Sequence, residues 1–271
     1  MNQTNPQIGA QSSPPVRAPQ RFYGDPWFVL KNLVSKDFKV RYRNMSLGIF
    51  WSLVNPLIMM GVLTFIFSVV FTRNIPNYPL FLLCGLLPYN FFSQAWSTGT
   101  MSVVSNASLV KQLRFQRELV PVSVVLGNAL HYVLQLGLLL IAIGIVVGVN
   151  VQWMWLPVVL SLQLIFICGL SLLTSALDVY HRDMRYVVQS VNTVLFWLVP
   201  IFYGFGDIPP NLVWLYELNP VAAVVLIMRR ILLYAEPPGA TLLKLAVASI
   251  IVAWVGHKVF ARVEDEFSDY L

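Results

Sequence analysis

The longest stretch without a charge runs from Leu119 to Leu177, where no Asp, Glu, Lys or Arg occurs. A hydrocarbon core about 30 Å thick takes about 20 apolar helical residues to cross. This stretch is too long for one crossing and fits two, turning at Asn150-Val151-Gln152. Charged side chains keep the surface helices of a soluble domain wet, so a run without any belongs in lipid. Similar apolar runs elsewhere predict an all-α integral membrane protein. Its six transmembrane helices are expected at about 47–71, 78–104, 120–149, 153–177, 186–205 and 242–260. The segment 206–239 breaks the pattern with Asp207, Pro209-Pro210, Glu217, Asn219-Pro220, Arg229-Arg230, Glu236 and Pro237-Pro238. Its longest apolar piece, Val221 to Met228, is too short to cross and reads as an external re-entrant segment.

Polar punctuation between the spans sets the orientation. Trp27, Leu30, Val34 and Phe38 recur at helical spacing among Lys31, Lys36, Lys39, Arg41 and Arg43, which predicts a basic amphipathic helix over 27–43 lying in a membrane interface. Ser105 to Glu118 carries Lys111, Arg114 and Arg117 among Leu109, Val110 and Leu113, a second short amphipathic helix. Asp178, His181, Arg182, Asp183 and Arg185 make a third charged patch. These three and the C-terminus hold most of the Lys and Arg; the other side has Arg73, the uncharged 150–152 turn and the 206–239 segment. The positive-inside rule then makes the first side, with both termini, cytoplasmic. Arg229 and Arg230 are the costly exception, and displaced charges in membrane proteins mark a pathway. The polar, Pro-rich residues 1–24 are expected to be a disordered cytoplasmic tail without a cleavable signal peptide, and 25–271 a single transmembrane domain.

Composition agrees: 57% of the 271 residues are hydrophobic and 11% charged, against about 25% charged in average globular proteins. The net charge of +6 sits at span ends and forms no continuous basic face, which argues against nucleic acid. Cys84 and Cys168 fall inside apolar spans and read as buried free thiols. No G-x-x-x-x-G-K-[ST], H-E-x-x-H or G-x-S-x-G occurs, so no P-loop nucleotide site, metal or catalytic residue is expected, and no cofactor. His131, in span three, reads as a histidine hydrogen-bonded within the bundle. No span interior carries Asp or Glu, so a carrier driven by protons or sodium lacks its usual midplane group. If the chain transports, its energy enters through the cytoplasmic surface.

Span two offers candidate lining instead. Tyr89, Phe92 and Trp96 fall at i, i+3 and i+7 beside Asn90, Ser93, Gln94, Ser97 and Thr98. Aromatic faces stack on sugars, and amides and hydroxyls hydrogen-bond them, without a fixed charge to trap the cargo. An interfacial aromatic belt with helix-packing Ser and Thr is the plainer reading of the same residues. Gly144-x-x-x-Gly148 reads as ordinary helix packing.

The string Lys36-Asp37-Phe38-Lys39-Val40-Arg41-Tyr42-Arg43, then Leu47-Gly48, Trp51 and Asn55-Pro56-Leu57, resembles the start of ABC-2-type permeases that export polysaccharides. Lys111 to Pro121, Asp178 to Asp183, Pro200-Ile201-Phe202-Tyr203 and Leu218-Asn219-Pro220 follow in that family's order. The resemblance covers about residues 25–271. It implies a permease of the bacterial cytoplasmic (inner) membrane that exports lipid-linked O-antigen, teichoic acid or capsule. It would work as a homodimer with separate ATPase subunits that bind ATP and magnesium. Lys111, Arg114, Arg117 and Glu118 would then couple to the ATPase. Tyr89, Phe92, Trp96, Phe202 and Tyr203 would line the channel. Lys39, Arg41 and Arg43 would meet the lipid pyrophosphate, since Arg pairs well with phosphate oxygens. Asn219, Pro220, Arg229 and Arg230 would form the external gate. The family often has Pro after the Phe of its coupling segment, where this chain has Gln116. Two other readings are an ABC-2 permease for a small drug or lipid and an integral membrane lipid-modifying enzyme; sparse His and carboxylates argue against the latter.

Overall fold

The structure is a computed structural model that describes residues 25–42, 51–70, 75–112, 115–204, 206 and 208–271. The expected tail 1–24, the first residues of span one, Arg43 and Arg114 lie outside the described residues, as does the side chain of Arg41. Regular structure is helical throughout, with no strand among the described residues. The elements are α1 (Pro26–Tyr42), α2 (Trp51–Thr64), extended by a π-helical stretch Phe65–Val70, α3 (Tyr78–Ser105), α4 (Ala107–Gln112) and α5 (Leu119–Val146). After a 3-10 turn at Val151–Trp155 come α6 (Leu156–Tyr180), α7 (Met184–Leu198), α8 (Val213–Leu218), α9 (Pro220–Leu232) and α10 (Ala240–Val263). A second 3-10 turn, Glu264–Glu266, leads into α11 (Phe267–Tyr270). Among the described residues, three helical stretches are long and apolar enough to cross a bilayer: Leu119–Val146, Val151–Tyr180 and Ala240–Glu266.

The first half of α3 is enclosed by protein. This helix is the axis of the bundle and packs against α2, α5, α6, α7 and α9. Leu80 to Tyr89 is buried on every side, because protein replaces lipid all round it. The uncharged run from 119 to 177 does fold as a helical pair joined near Asn150, whose side chain accepts from Gln152 N (2.9 Å) and donates to Ile231 O (3.1 Å).

Close helix contacts fall where the sequence did not advertise them. A Cβ added to Gly169 of α6 would lie 2.6 Å from the Ala253 backbone of α10, and one on Gly256 would collide with the Gly169 carbonyl. Bare backbones therefore meet there, the small-residue packing that membrane helices favour. The expected Gly144/Gly148 pair is corrected: α5 ends at Val146 and Gly148 lies beyond it at φ +100°. There its missing side chain serves a left-handed turn.

The expected span 186–205 is also corrected. Helix α7 stops at Leu198, and Val199 is extended (φ −72°, ψ 135°). Pro200 follows; it has no N–H to donate and disfavours helical geometry in the residue before it. Fifteen helical residues reach about 22 Å, short of a full crossing. The 206–239 segment then holds α8 and α9, and Val221 to Met228 falls within α9, nearly all buried.

Two amphipathic expectations change as well. Helix α1 packs on α5; its Leu30, Leu33 and Val34 are half-buried, while Trp27, Phe28 and Val40 are exposed. Apolar residues thus sit on more than one face, as suits a helix held between protein and surroundings. The helix expected over 105–118 shrinks to α4. Asn106 interrupts it: its N–H and its Nδ2 both donate to Ser102 O (3.1 and 2.9 Å), ending α3.

Candidate functional site

Helix α5 separates two ends of the molecule, each carrying charge for a different purpose. At the end where α5 begins, the 107–118 segment is tied to distant parts of the chain. The Arg117 guanidinium donates to the Glu264 carbonyl, and Glu118 Oε2 lies 3.1 Å from His257 Nδ1. Lys36 Nζ of α1 donates to Asn106 Oδ1 (3.2 Å). Gln116, where a proline was expected, does not prevent the bend: Leu119 N and Val120 N donate to Gln116 O and Arg117 O (both 3.1 Å), closing the turn without a proline. Lys111 is exposed, as is Lys39 on α1. Of the expected coupling residues, the structure brings Arg117 and Glu118 together with the C-terminal region and leaves Lys111 on the surface.

The expected lining aromatics stand inside the bundle. Tyr89, Phe92 and Trp96 are 4%, 2% and 7% exposed. The Phe92 ring lies 6.1 Å from Phe166 and 5.4 Å from Trp96, and the Tyr89 ring 5.5 Å from Phe196. Phe202 is likewise buried, stacked on Phe67 at 5.8 Å. In this conformation these four side chains form the wall behind a surface and not the surface itself, because helical periodicity places a stripe without telling which side faces a neighbour.

That surface joins the polar residues of α3 expected beside the aromatics to residues of α7 that the sequence did not single out. Helix α7 exposes Tyr186, Gln189, Ser190, Thr193 and Trp197, a helical stripe hidden inside a run judged by hydropathy alone. On α3, Gln94 is exposed and Asn90, Ser93, Ser97 and Thr98 are half-buried. Asn192 joins the two helices: its Nδ2 donates to Ser97 Oγ (3.0 Å), and its backbone carbonyl accepts from the Tyr89 hydroxyl. The result is an uncharged strip of amides, hydroxyls and aromatics within the helical body.

At the opposite end the structure is built around Arg229, 3% exposed. Its Nε donates to Phe81 O (3.3 Å), Nη1 to Pro200 O (2.6 Å) and Tyr203 O (3.4 Å), and Nη2 to Ile201 O (2.7 Å). The guanidinium carbon also lies 3.4 Å above the Phe81 ring. These carbonyls belong mainly to the unwound chain after α7, which has no helical N–H groups to satisfy it. Arg229 supplies the missing donors. Asn219 and Pro220 have an equally local reason: the Asn219 side chain caps α9 by accepting from Val221 N (3.0 Å), and Pro220 takes the first helical position, where a missing N–H costs nothing. Tyr203 donates to Leu198 O (3.0 Å) and meets the Tyr216 hydroxyl at 3.1 Å. Arg230 Nε pairs with Glu236 (3.2 Å) beside an open cavity of about 660 Å³ that Arg229 and Tyr234 also line. Among the described residues no group of three His, Cys, Asp or Glu side chains converges, and both cysteines are free.

The family model for ABC-2 type transporters matches residues 29–262. The chain belongs to the ABC-2 transporter family. It is 31% identical to the O-antigen export system permease protein RfbA of Klebsiella pneumoniae, over 88% of this chain and 93% of that protein. The RfbA protein of Myxococcus xanthus is also 31% identical, over 89% of this chain and 94% of its own length. The polysialic acid transport protein KpsM of Escherichia coli is 24% identical over 86% and 92%. The ABC-2 match takes in both charged ends and the polar strip, and stops at the end of α10.

Proposed function

We infer that this chain is the membrane-spanning permease subunit of an ATP-driven exporter that moves a lipid-linked polysaccharide out across the bacterial cytoplasmic membrane. The observation that carries the reading is similarity along nearly the full length of permeases named for O-antigen export. The polar strip on α3 and α7 supports it. Uncharged amides and hydroxyls exposed at membrane depth need water or protein against them, since lipid cannot satisfy them. Trp96 Nε1 and Asn192 Oδ1, just behind the strip, find no partner among the described residues. A second copy of the chain closes this face into a path, with α7 and α3 of each copy on its walls and Tyr89, Phe92 and Trp96 behind them. The end with α1, α4 and the C-terminus is cytoplasmic, as its Lys and Arg require. There the 107–118 segment meets an ATPase subunit that binds ATP and magnesium, and Lys39, Arg41 and Arg43 attract the lipid pyrophosphate. Helices α2, α3, α5, α6 and α10 cross the membrane, and the α7–α9 unit makes the sixth passage as a broken one, with Arg229 holding the external gate.

The reading is tested by deleting the chain from cells that coat themselves with polysaccharide and measuring glycan outside and inside. Surface glycan disappears, lipid-linked glycan accumulates within, and this chain restores export only together with its ATPase. Normal surface glycan in the deletion strain sinks the reading.

A further inference from the structure

Beyond α10 the chain turns back and docks. Phe267 is fully buried, its ring edge-on to Phe260 at 5.2 Å. Around this pair close Val103 of α3, Val110 of α4, Val120 of α5 and Leu172, Ala176 and Val179 of α6, an apolar cluster distinct from the main core. Ties ring the cluster. The Tyr180 hydroxyl donates to Glu266 Oε2 (2.8 Å), the Tyr180 and Tyr270 rings lie 4.6 Å apart, and Arg117 reaches the Glu264 carbonyl.

The mechanical consequence follows from what each part can hold alone. Helix α4 has six residues, too few to be stable without packing. It is set off from α3 by the Asn106 interruption and precedes the turn at 115–118. Helices α6 and α10, by contrast, meet backbone to backbone at Gly169 and Ala253, as close as two helices can pack. The segment after Val263 adds a second buried aromatic, Phe267, to the cluster in which Phe260 of α10 and Val110 of α4 already stand.

We propose that residues 264–271 are a strap that positions the ATPase-docking segment 107–118 on the α6–α10 pair. A displacement of the docking segment is then passed to both helices and not lost in the loop. Phe267 is the positioning residue; Tyr180, Glu266 and Arg117 fix its register. The proposal rests on the reading of 107–118 as the docking segment of an exporter and adds a part that lies past the family match.

The test uses the full chain with its ATPase subunit, comparing surface polysaccharide in cells with ATP hydrolysis by the purified complex. Phe267→Ala lowers export about fivefold while the complex stays associated and keeps most of its hydrolysis. Phe267→Leu, which refills most of the space, restores at least half. Glu266→Ala, a surface change that leaves the cluster filled, gives a smaller loss of the same kind and carries the test should Phe267→Ala not accumulate. If export and hydrolysis fall in proportion, or neither changes, the strap is not a coupling part and the proposal is overturned. A wild-type complex that hydrolyses ATP while no glycan reaches the surface overturns the export reading instead.

Discussion

Arg117 and Arg229 sit at opposite ends of the same bundle and do opposite things. Arg117 is half-buried, reaches the Glu264 carbonyl and shares its neighbourhood with the partly exposed Glu118–His257 contact. Exposed pairs of this kind contribute about 0–1 kcal/mol each and are screened by salt. Arg229 is sealed in, with every nitrogen engaged by backbone oxygen. One end is held by many weak, replaceable contacts around a small apolar cluster; the other by one cation that cannot be exchanged. A surface that must be pushed by a partner is better made the first way. An unwound stretch buried inside protein has to be made the second way, since orphaned buried carbonyls cost about 1–3 kcal/mol each.

The sharpest way to break this comparison is at Arg229. Arg229→Ala leaves up to four carbonyls without donors at about 1–3 kcal/mol each. The purified chain should melt on the order of 10 °C lower in a fluorescence-detected thermal scan. Arg229→Lys keeps the charge but not the planar fork, and recovers only part of the loss. A melting point within about 2 °C of wild type in the alanine variant removes the clamp from the account.

Next in size is Gly256→Val, which drives a branched side chain into the Gly169 carbonyl. It should prevent accumulation of folded chain in membranes, whereas Gly61→Ala, where a Cβ meets nothing within 4 Å, is silent. Equal yields from the two would show that α6 and α10 separate easily, and with them the stiff body assumed at the docking end. Asn219→Ala comes third. Loss of the cap costs about 1 kcal/mol and should show as faster proteolysis between α8 and α9, with melting little changed. The smallest effect on stability is expected at Glu118. Glu118→Gln alters melting by no more than about 2 °C while lowering export relative to ATP hydrolysis. A large melting shift there would mean that the docking end, too, depends on a single charge.

Much of this was legible in the chain. The uncharged run 119–177, the two short basic segments and the crowded 206–239 stretch each follow from local rules of helix length and charge placement. Asn219-Pro220 is a helix start written in two letters. What periodicity could not deliver was sidedness. Tyr89, Phe92 and Trp96 share a helical stripe, yet that stripe turns inward, while the exposed strip on α7 lay in a segment scored only for being apolar. The Gly144 and Gly148 spacing suggested packing, and the close approach came from Gly169 and Gly256, which no local window joins. Arg229 looked like a displaced charge on a pathway; its partners are carbonyls, which every residue owns and no sequence pattern marks.

The sequence by itself determined that the chain lives in lipid, where its helices begin and which end is basic. Those properties depend on counts and spacings along one dimension. The tertiary structure alone decided which aromatic faces inward, which arginine is a clamp and which a contact, and that Phe267 near the C-terminus joins a cluster with residues of α3, α4, α5 and α6. Each of those is a choice of neighbour, and neighbours are set by the packing of helices far apart in the chain.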